Sequence, residues 1–225
     1  MSWRDHRLTR DQIAWRAAQD IHDGAYVNLG IGMPVLCSAY VPEGRHVTYQ
    51  SENGVLGFGG PPPEGEEDFD LINASKGAIT LAPGASIVHS ADSFAMIRGA
   101  HLDIAILGAF QIAPNGDLAN WSTGEGGVPA VGGAMDLSAG AKAVRCVTTH
   151  VAKDGAPKLV EACSYPLTGL GVVDRIYTDL AVVEVRGGRF HLLETVPGVS
   201  RDDVQALTGA PLVMDDVKPL IAPRL

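Results

Sequence analysis

Ile13, Ala17 and Ile21 recur on one helical face behind a polar start at Thr9 and Asp11, a spacing that predicts an amphipathic helix over 9–21, ended by Gly24. AYVNL then reads as a short buried strand and GIGMP as a tight turn, with Pro34 at the first position of a second helix running to Tyr40. HVTYQS has strand composition and runs directly into Glu52, Asn53 and Gly54, which places Glu52 at a strand's end. The segment 57–70, GFGGPPPEGEEDFD, is rich in glycine, proline and acid and predicts a solvent-facing loop rather than a linker, because strand-like sequence resumes beyond it.

Alternations in AITLAPGASIVH suggest short strands, followed by a helix over 91–98, a strongly apolar strand in LDIAILGAF and a hairpin at APNGDL. KAVRCVTT, DLAVVEV and RFHLLETV predict later strands, the last pair punctuated by RGG, and a final helix is expected over 200–207. Strand and helix patterns intermix without repeats or low-complexity tracts. They predict an α/β fold, one domain over 1–225 with a mixed, mostly parallel sheet flanked by helices.

Composition narrows the function classes. Apolar residues make up 46% of the 225 and charged residues 19%, which excludes disorder and leaves room for a buried subunit interface. A net charge of −9 offers no basic patch for nucleic acid or an anionic membrane surface. Cys37, Cys146 and Cys163 are widely spaced and form no CxxC pair, as expected of reduced, buried thiols. The charged amphipathic N-terminal stretch lacks an apolar signal core, and the expectation is a cytoplasmic protein.

Three segments carry candidate chemistry. In QSENGVLGFGG, Glu52 precedes an Asn-Gly pair and a glycine series; this is either an ordinary turn with a solvated acid or a carboxylate nucleophile held close to backbone donors. NLGIGMP presents successive backbone N–H groups before a helix, a carboxylate or phosphate cradle or simply a turn; Val35 breaks the full dinucleotide fingerprint. VPAVGGAMDL places Gly132 and Gly133 before a helix beginning near Met135, a second nest of free donors or a plain loop. The seven histidines include no HExxH pair, so no metal is assigned. No GxSxG elbow or P-loop is present, and the acids of 64–70 lack EF-hand spacing.

The blocks YVNLGIGMP, QSENGVLGFG, DLINASK, ADSFAMIRGAHLDIAILGAFQ, GDLANW and VGGAMDL span most of the chain and together resemble the β subunit of family I 3-oxoacid CoA-transferases. SENG and GGAMDL are the most diagnostic. The resemblance implies the CoA-transferase superfamily fold, a hetero-oligomer with a CoA-transferase α subunit, and Glu52 as the nucleophile that carries CoA as a thioester. It further implies that Gly132 or Gly133 binds the oxyanion, that Asn28, Gly30, Gly32 and Asn53 line the substrate site, and that CoA and acyl-CoA enter as substrates, with no separate cofactor. GEEDFDLINASK, ADSFAMIRG and STGEGGVPAVGG look more like the enzymes acting on 3-oxoadipate than those acting on acetoacetate, which carry a PGK-like segment after the tryptophan. Transfer from succinyl-CoA to 3-oxoadipate is the implied reaction, with acetoacetate as the alternative acceptor. A non-catalytic CoA-binding module and a sugar-phosphate isomerase-like relative are the readings from other classes. An ionised carboxylate near the ordinary glutamate pKa of about 4.3 would need no external base.

Overall fold

A capping box opens helix α1 (Arg10–Gln19) of the computed structural model, which describes residues 3–124 and 131–225. Thr9 Oγ1 accepts from Gln12 N at 3.2 Å while Gln12 Oε1 accepts from Thr9 N at 2.9 Å. The helix buries Ile13, Ala14, Ala17 and Ala18. It stops before Gly24 because the chain turns at Asp20. The Asp20 carboxylate accepts from Arg16 (2.9 Å), Arg175 (2.9 Å) and Tyr177 Oη (2.7 Å), while Arg16 also grips Glu194 through two nitrogens at 2.8 and 2.6 Å. Gly24, with φ +77°, serves the turn into the next strand.

That strand, β1 (Tyr26–Leu29), leads through Gly32 and Pro34 into a helix over Met33–Tyr40 that winds as a 3₁₀ helix rather than an α-helix. Pro34 sits in its first turn, where no N–H is needed, and Ser38 Oγ donates to the Val35 carbonyl three residues back at 2.8 Å. Then come β2 (Thr48–Ser51) and β3 (Val55–Phe58), and a loop over 59–80, exposed through 63–70 and partly buried beyond, ends in β4 (Leu81–Ile87). The loop matches the expectation for 57–70 except that its first residues continue a strand.

Helix α2 (Ser90–Arg98) precedes β5 (Ile104–Leu107), whose four residues are all buried. A small hairpin, β6 (Gln111–Ile112) and β7 (Leu118–Ala119), forms at APNGDL as predicted. Helix α3 (Ala134–Gly140) and β8 (Ala143–Val147) follow. The unpredicted β9 (Val173–Tyr177) comes next, then β10 (Ala181–Arg186) and β11 (Arg189–Thr195), joined through Gly187 and Gly188 at φ +59° and +71°. Ser200 caps α4 (Arg201–Ala206), and β12 (Leu212–Val213) and β13 (Lys218–Pro219) add short edges. Strand β9 hides from periodicity because Asp174 and Arg175 interrupt its apolar run; Asp174 accepts from Val144 N at 2.8 Å and Arg175 enters the Asp20 network.

One mixed sheet results, in the order β12-β11-β10-β9-β8-β5-β1-β2-β3-β4, with β13 beside β11. Its centre, β9-β8-β5-β1-β2, is parallel and its flanks are antiparallel apart from the short edge strands. The core sits on β1, β5 and β8–β11, with Ile104, Ile106, Val144, Cys146, Ile176 and Val183 buried against α1 and α4 residues such as Ile13 and Val204. From β1 the chain steps to β2 on one side and later returns to β5 on the other. The carboxyl ends of β1, β2, β5 and β8 therefore flank the kind of crevice in which α/β sheets bind ligands. No helix of the described residues is long and apolar enough to cross a membrane.

Candidate active site

Strand β2 ends at Ser51, and Glu52, Asn53 and Gly54 make the connection to β3, where Val55 pairs with Ser51. Gly54 closes the turn by donating to Ser51 O at 2.9 Å, and its own carbonyl accepts from Val88 N at 2.8 Å. At φ +120° and with a side chain there overlapping the Val88 carbonyl oxygen, only glycine fits. Asn-Gly here is thus a turn, and the turn holds Glu52 at the mouth of the crevice.

Behind Glu52 lies a buried polar chain. Asn28 Nδ2 donates to Gln50 O (3.0 Å) and Gln50 Oε1 (2.6 Å), Gln50 Nε2 donates to Ser93 Oγ (2.5 Å), and Ser93 Oγ reaches Ser51 O at 3.3 Å. Each of these four residues is buried. Satisfied networks of this kind fix backbone position, and this one fixes the strand that presents Glu52. Ser51 Oγ also accepts from Ala74 N (2.8 Å), which ties the 59–80 loop to the same strand end.

Glu52 lines a cleft of about 510 Å³ together with Asn28, Gly30, Gly132 and Gly133, so the crevice unites five of the seven site residues expected from the sequence. The remaining two lie outside its lining. Gly32, at φ +90°, shapes the entry to the 3₁₀ helix, and the Asn53 side chain donates to Ile72 O at 2.7 Å, anchoring the loop. The cradle expected at NLGIGMP is also reduced: Gly30 N–H is spent on Ile106 O at 2.8 Å, within the sheet. Gly133 is different. A Cβ built on it would sit 2.7 Å from Glu52 Cδ, so the carboxylate lies directly against the backbone at the start of α3.

Glu52 is half-buried, and desolvation first, then the charge of Asp136, raises its pKa above the ordinary glutamate range. The expectation of an unperturbed carboxylate is corrected accordingly. Asp136 is itself paired with Arg98 at 2.6 Å. The three cysteines are free; Cys37 and Cys146 are buried as expected while Cys163 is only partly so, and burial pushes Cys37 up to about 12 and Cys163 up to about 11.

Sequence reasoning passed over Gln50, Ser93, Thr148 and Lys158. The lone lysine in APKLV, set in an apolar run, was the signal available for the last of these. Of the STGEGG segment after Trp121, 125–127 lie outside the described residues.

Residues 10–207 match the family model described as Coenzyme A transferase. The chain is 56% identical to the B subunit of the 3-oxoadipate CoA-transferase of Acinetobacter baylyi over 209 residues, covering 92% of this chain and 96% of that one. It is 51% identical to the B subunit of the succinyl-CoA:3-ketoacid coenzyme A transferase of Helicobacter pylori over 201 residues, 89% of this chain and 97% of that one. An acyl-CoA transferase of E. coli O157:H7, solved as a thioester complex with CoA, shares the fold with a TM-score of 0.71 at 20% identity; the match covers 93% of this chain and 42% of that longer one.

Proposed function

Because the chain belongs to the coenzyme A transferase family, we propose that it is the nucleophile-bearing subunit of a two-subunit enzyme that moves CoA from succinyl-CoA to a 3-oxoacid. Of the two acceptors considered from the sequence, 3-oxoadipate is preferred to acetoacetate, in line with the block resemblances and the higher identity to the 3-oxoadipate relative.

The observation that carries the reading is Glu52 itself, a half-buried carboxylate pressed against Gly133 inside the cleft. Its oxygen attacks the acyl-CoA carbonyl, the C–S bond breaks, and CoA leaves as a thiolate beside a mixed anhydride on Glu52. The thiolate then attacks the Glu52 carbonyl of that anhydride, forming a glutamyl-CoA thioester and releasing succinate. The acceptor carboxylate attacks this thioester to give a second anhydride and thiolate; attack of the thiolate on the acyl carbonyl yields the new acyl-CoA and restores Glu52. Gly132 and Gly133 line the same cleft and Gly133 lies against the carboxylate, so in this reading their backbone N–H groups serve as the donors for the developing oxyanion. Partial exclusion of water protects anhydride and thioester from hydrolysis.

A partner α subunit completes the wall of an open cleft in this reading. Exposed apolar residues such as Ile31 (73% exposed), on the GIGMP turn at the cleft, and Leu170 (73%) are suited to be covered by it. The test is reconstitution with that subunit. The isolated chain gives no transfer, and the complex incubated with succinyl-CoA alone gains a CoA adduct on the Glu52 peptide. With both substrates, kcat/KM is higher for 3-oxoadipate than for acetoacetate. Full activity of the isolated chain, or turnover without an adduct, rejects the proposal.

A further inference from the structure

Two ionisable side chains among the described residues line the cleft: Glu52 and Lys158. Lys158 is half-buried and its backbone is locked in place, its N–H donating to His150 O (3.1 Å) and its carbonyl accepting from Ile112 N (2.9 Å). The ammonium donates to Thr148 Oγ1 at 2.8 Å, and that hydroxyl in turn donates to Ala109 O at 3.0 Å. An ammonium carries three donors, and only this one is used within the described residues. Lys158 makes no ion pair with any carboxylate described.

Thr148 follows β8 and Glu52 follows β2, with β5 and β1 between them. Three strand spacings, on the order of 14 Å, separate the two strand ends. Both charges line the one cleft, and no ion pair joins them. We infer that Lys158 is a specificity-determining residue that pairs with the distal carboxylate of a dicarboxylic substrate while its other end reacts at Glu52. The inference rests on Glu52 being the residue that carries CoA.

The chemistry favours this partner. A cation with unfilled donors in a partly desolvated cleft binds a carboxylate more strongly than one in water, through charge-assisted hydrogen bonds. Burial lowers the Lys158 pKa, partly opposed by Asp179, and an incoming carboxylate reverses that effect. A monocarboxylic acid of similar length has nothing to place there.

Lys158→Met in the two-subunit enzyme separates this role from a structural one. Loss of hydrogen bonds to a charged group predicts a fall of roughly 10- to 150-fold in kcat/KM for succinyl-CoA and 3-oxoadipate. Adduct formation on Glu52 from acetoacetyl-CoA stays unchanged, and Lys158→Arg recovers part of the dicarboxylate activity. Equal losses with both acyl-CoAs, or no loss with either, overturn the inference. The unmutated enzyme gives a second reading that does not depend on the variant folding: succinate slows trinitrobenzenesulfonate modification of Lys158 and butyrate does not. Equal protection by the two acids also overturns it. If no acyl-CoA labels Glu52, the reading of Glu52 has failed, and the protection experiment still decides the role of Lys158.

Discussion

A Cβ on Gly133 would stand 2.7 Å from Glu52 Cδ, so the space a side chain would need at the start of α3 is taken by the carboxylate at the end of β2. Two elements far apart in sequence share one van der Waals boundary, and the absence of a methyl group on one sets the position of the acid on the other.

Gly133→Ala therefore separates activity from stability. Its backbone, at φ −82°, accepts alanine without strain, and the exchange of glycine for alanine at a helix N-cap costs on the order of 1 kcal/mol. The carboxylate must move instead, and misplacement on the order of 1 Å costs about a hundredfold in rate. Turnover near the parental value with this variant would show that the carboxylate is not held by Gly133.

The raised pKa of Glu52 leads to a pH experiment. Its first cause is desolvation and its second is the charge of Asp136, so the acid limb of adduct formation lies above the ordinary glutamate value of about 4.3. Asp136→Asn removes the negative charge and leaves Arg98 uncompensated, both of which favour ionised Glu52. The acid limb should move to lower pH in single-turnover rates with succinyl-CoA. An unmoved limb, or one displaced to higher pH, rules out this electrostatic coupling.

His150 governs stability rather than chemistry. Its ring nitrogens lie 3.0 Å from Thr178 Oγ1 and 2.9 Å from Thr208 Oγ1, and burial lowers its pKa to about 4. The unfolded chain has a histidine pKa of about 6.5, so the unfolded state takes up the proton first. Stability from this group is complete above pH ~6.5 and is lost as pH falls through ~4, a loss on the order of 3 kcal/mol. Urea unfolding across this window measures it, and His150→Gln should flatten the dependence; an equally steep curve in the variant assigns the acid sensitivity elsewhere.

The residues that carry local instructions were legible in the sequence. Thr9 at the start of the first helix, the Gly187–Gly188 hairpin and the strand running into Glu52 each declare their structure within a few positions. What stayed hidden depends on distant partners. The polar residues of β9 look unlike a core strand until Arg175 is seen to meet Asp20, 155 positions away. Asn28 was legible as a site residue, but its partners Gln50 and Ser93 were not, since their value lies in a buried chain that only the parallel pairing of β1 and β2 assembles. Lys158 reaches the cleft from a segment with no motif at all.

Glu52→Gln is the most direct test of the nucleophile. The amide keeps the shape and the contact with Gly133 but is a far poorer nucleophile, so adduct and turnover both disappear. Glu52→Asp keeps the charge and withdraws it by one methylene, with a loss of about a hundredfold expected. Stability should move the opposite way. Burial raises the folded pKa of Glu52, so the folded state holds its proton more tightly than the unfolded one, and the cost of ionising it in place is fully present above the folded pKa and absent below the unfolded value of about 4.3. Glu52→Gln removes that cost, giving a Tm at neutral pH equal to or above the parent and a difference that closes as the solution is acidified. A freshly prepared variant, checked by mass for deamidation back to glutamate, that still transferred CoA at the parental rate would falsify both the nucleophile and the covalent route.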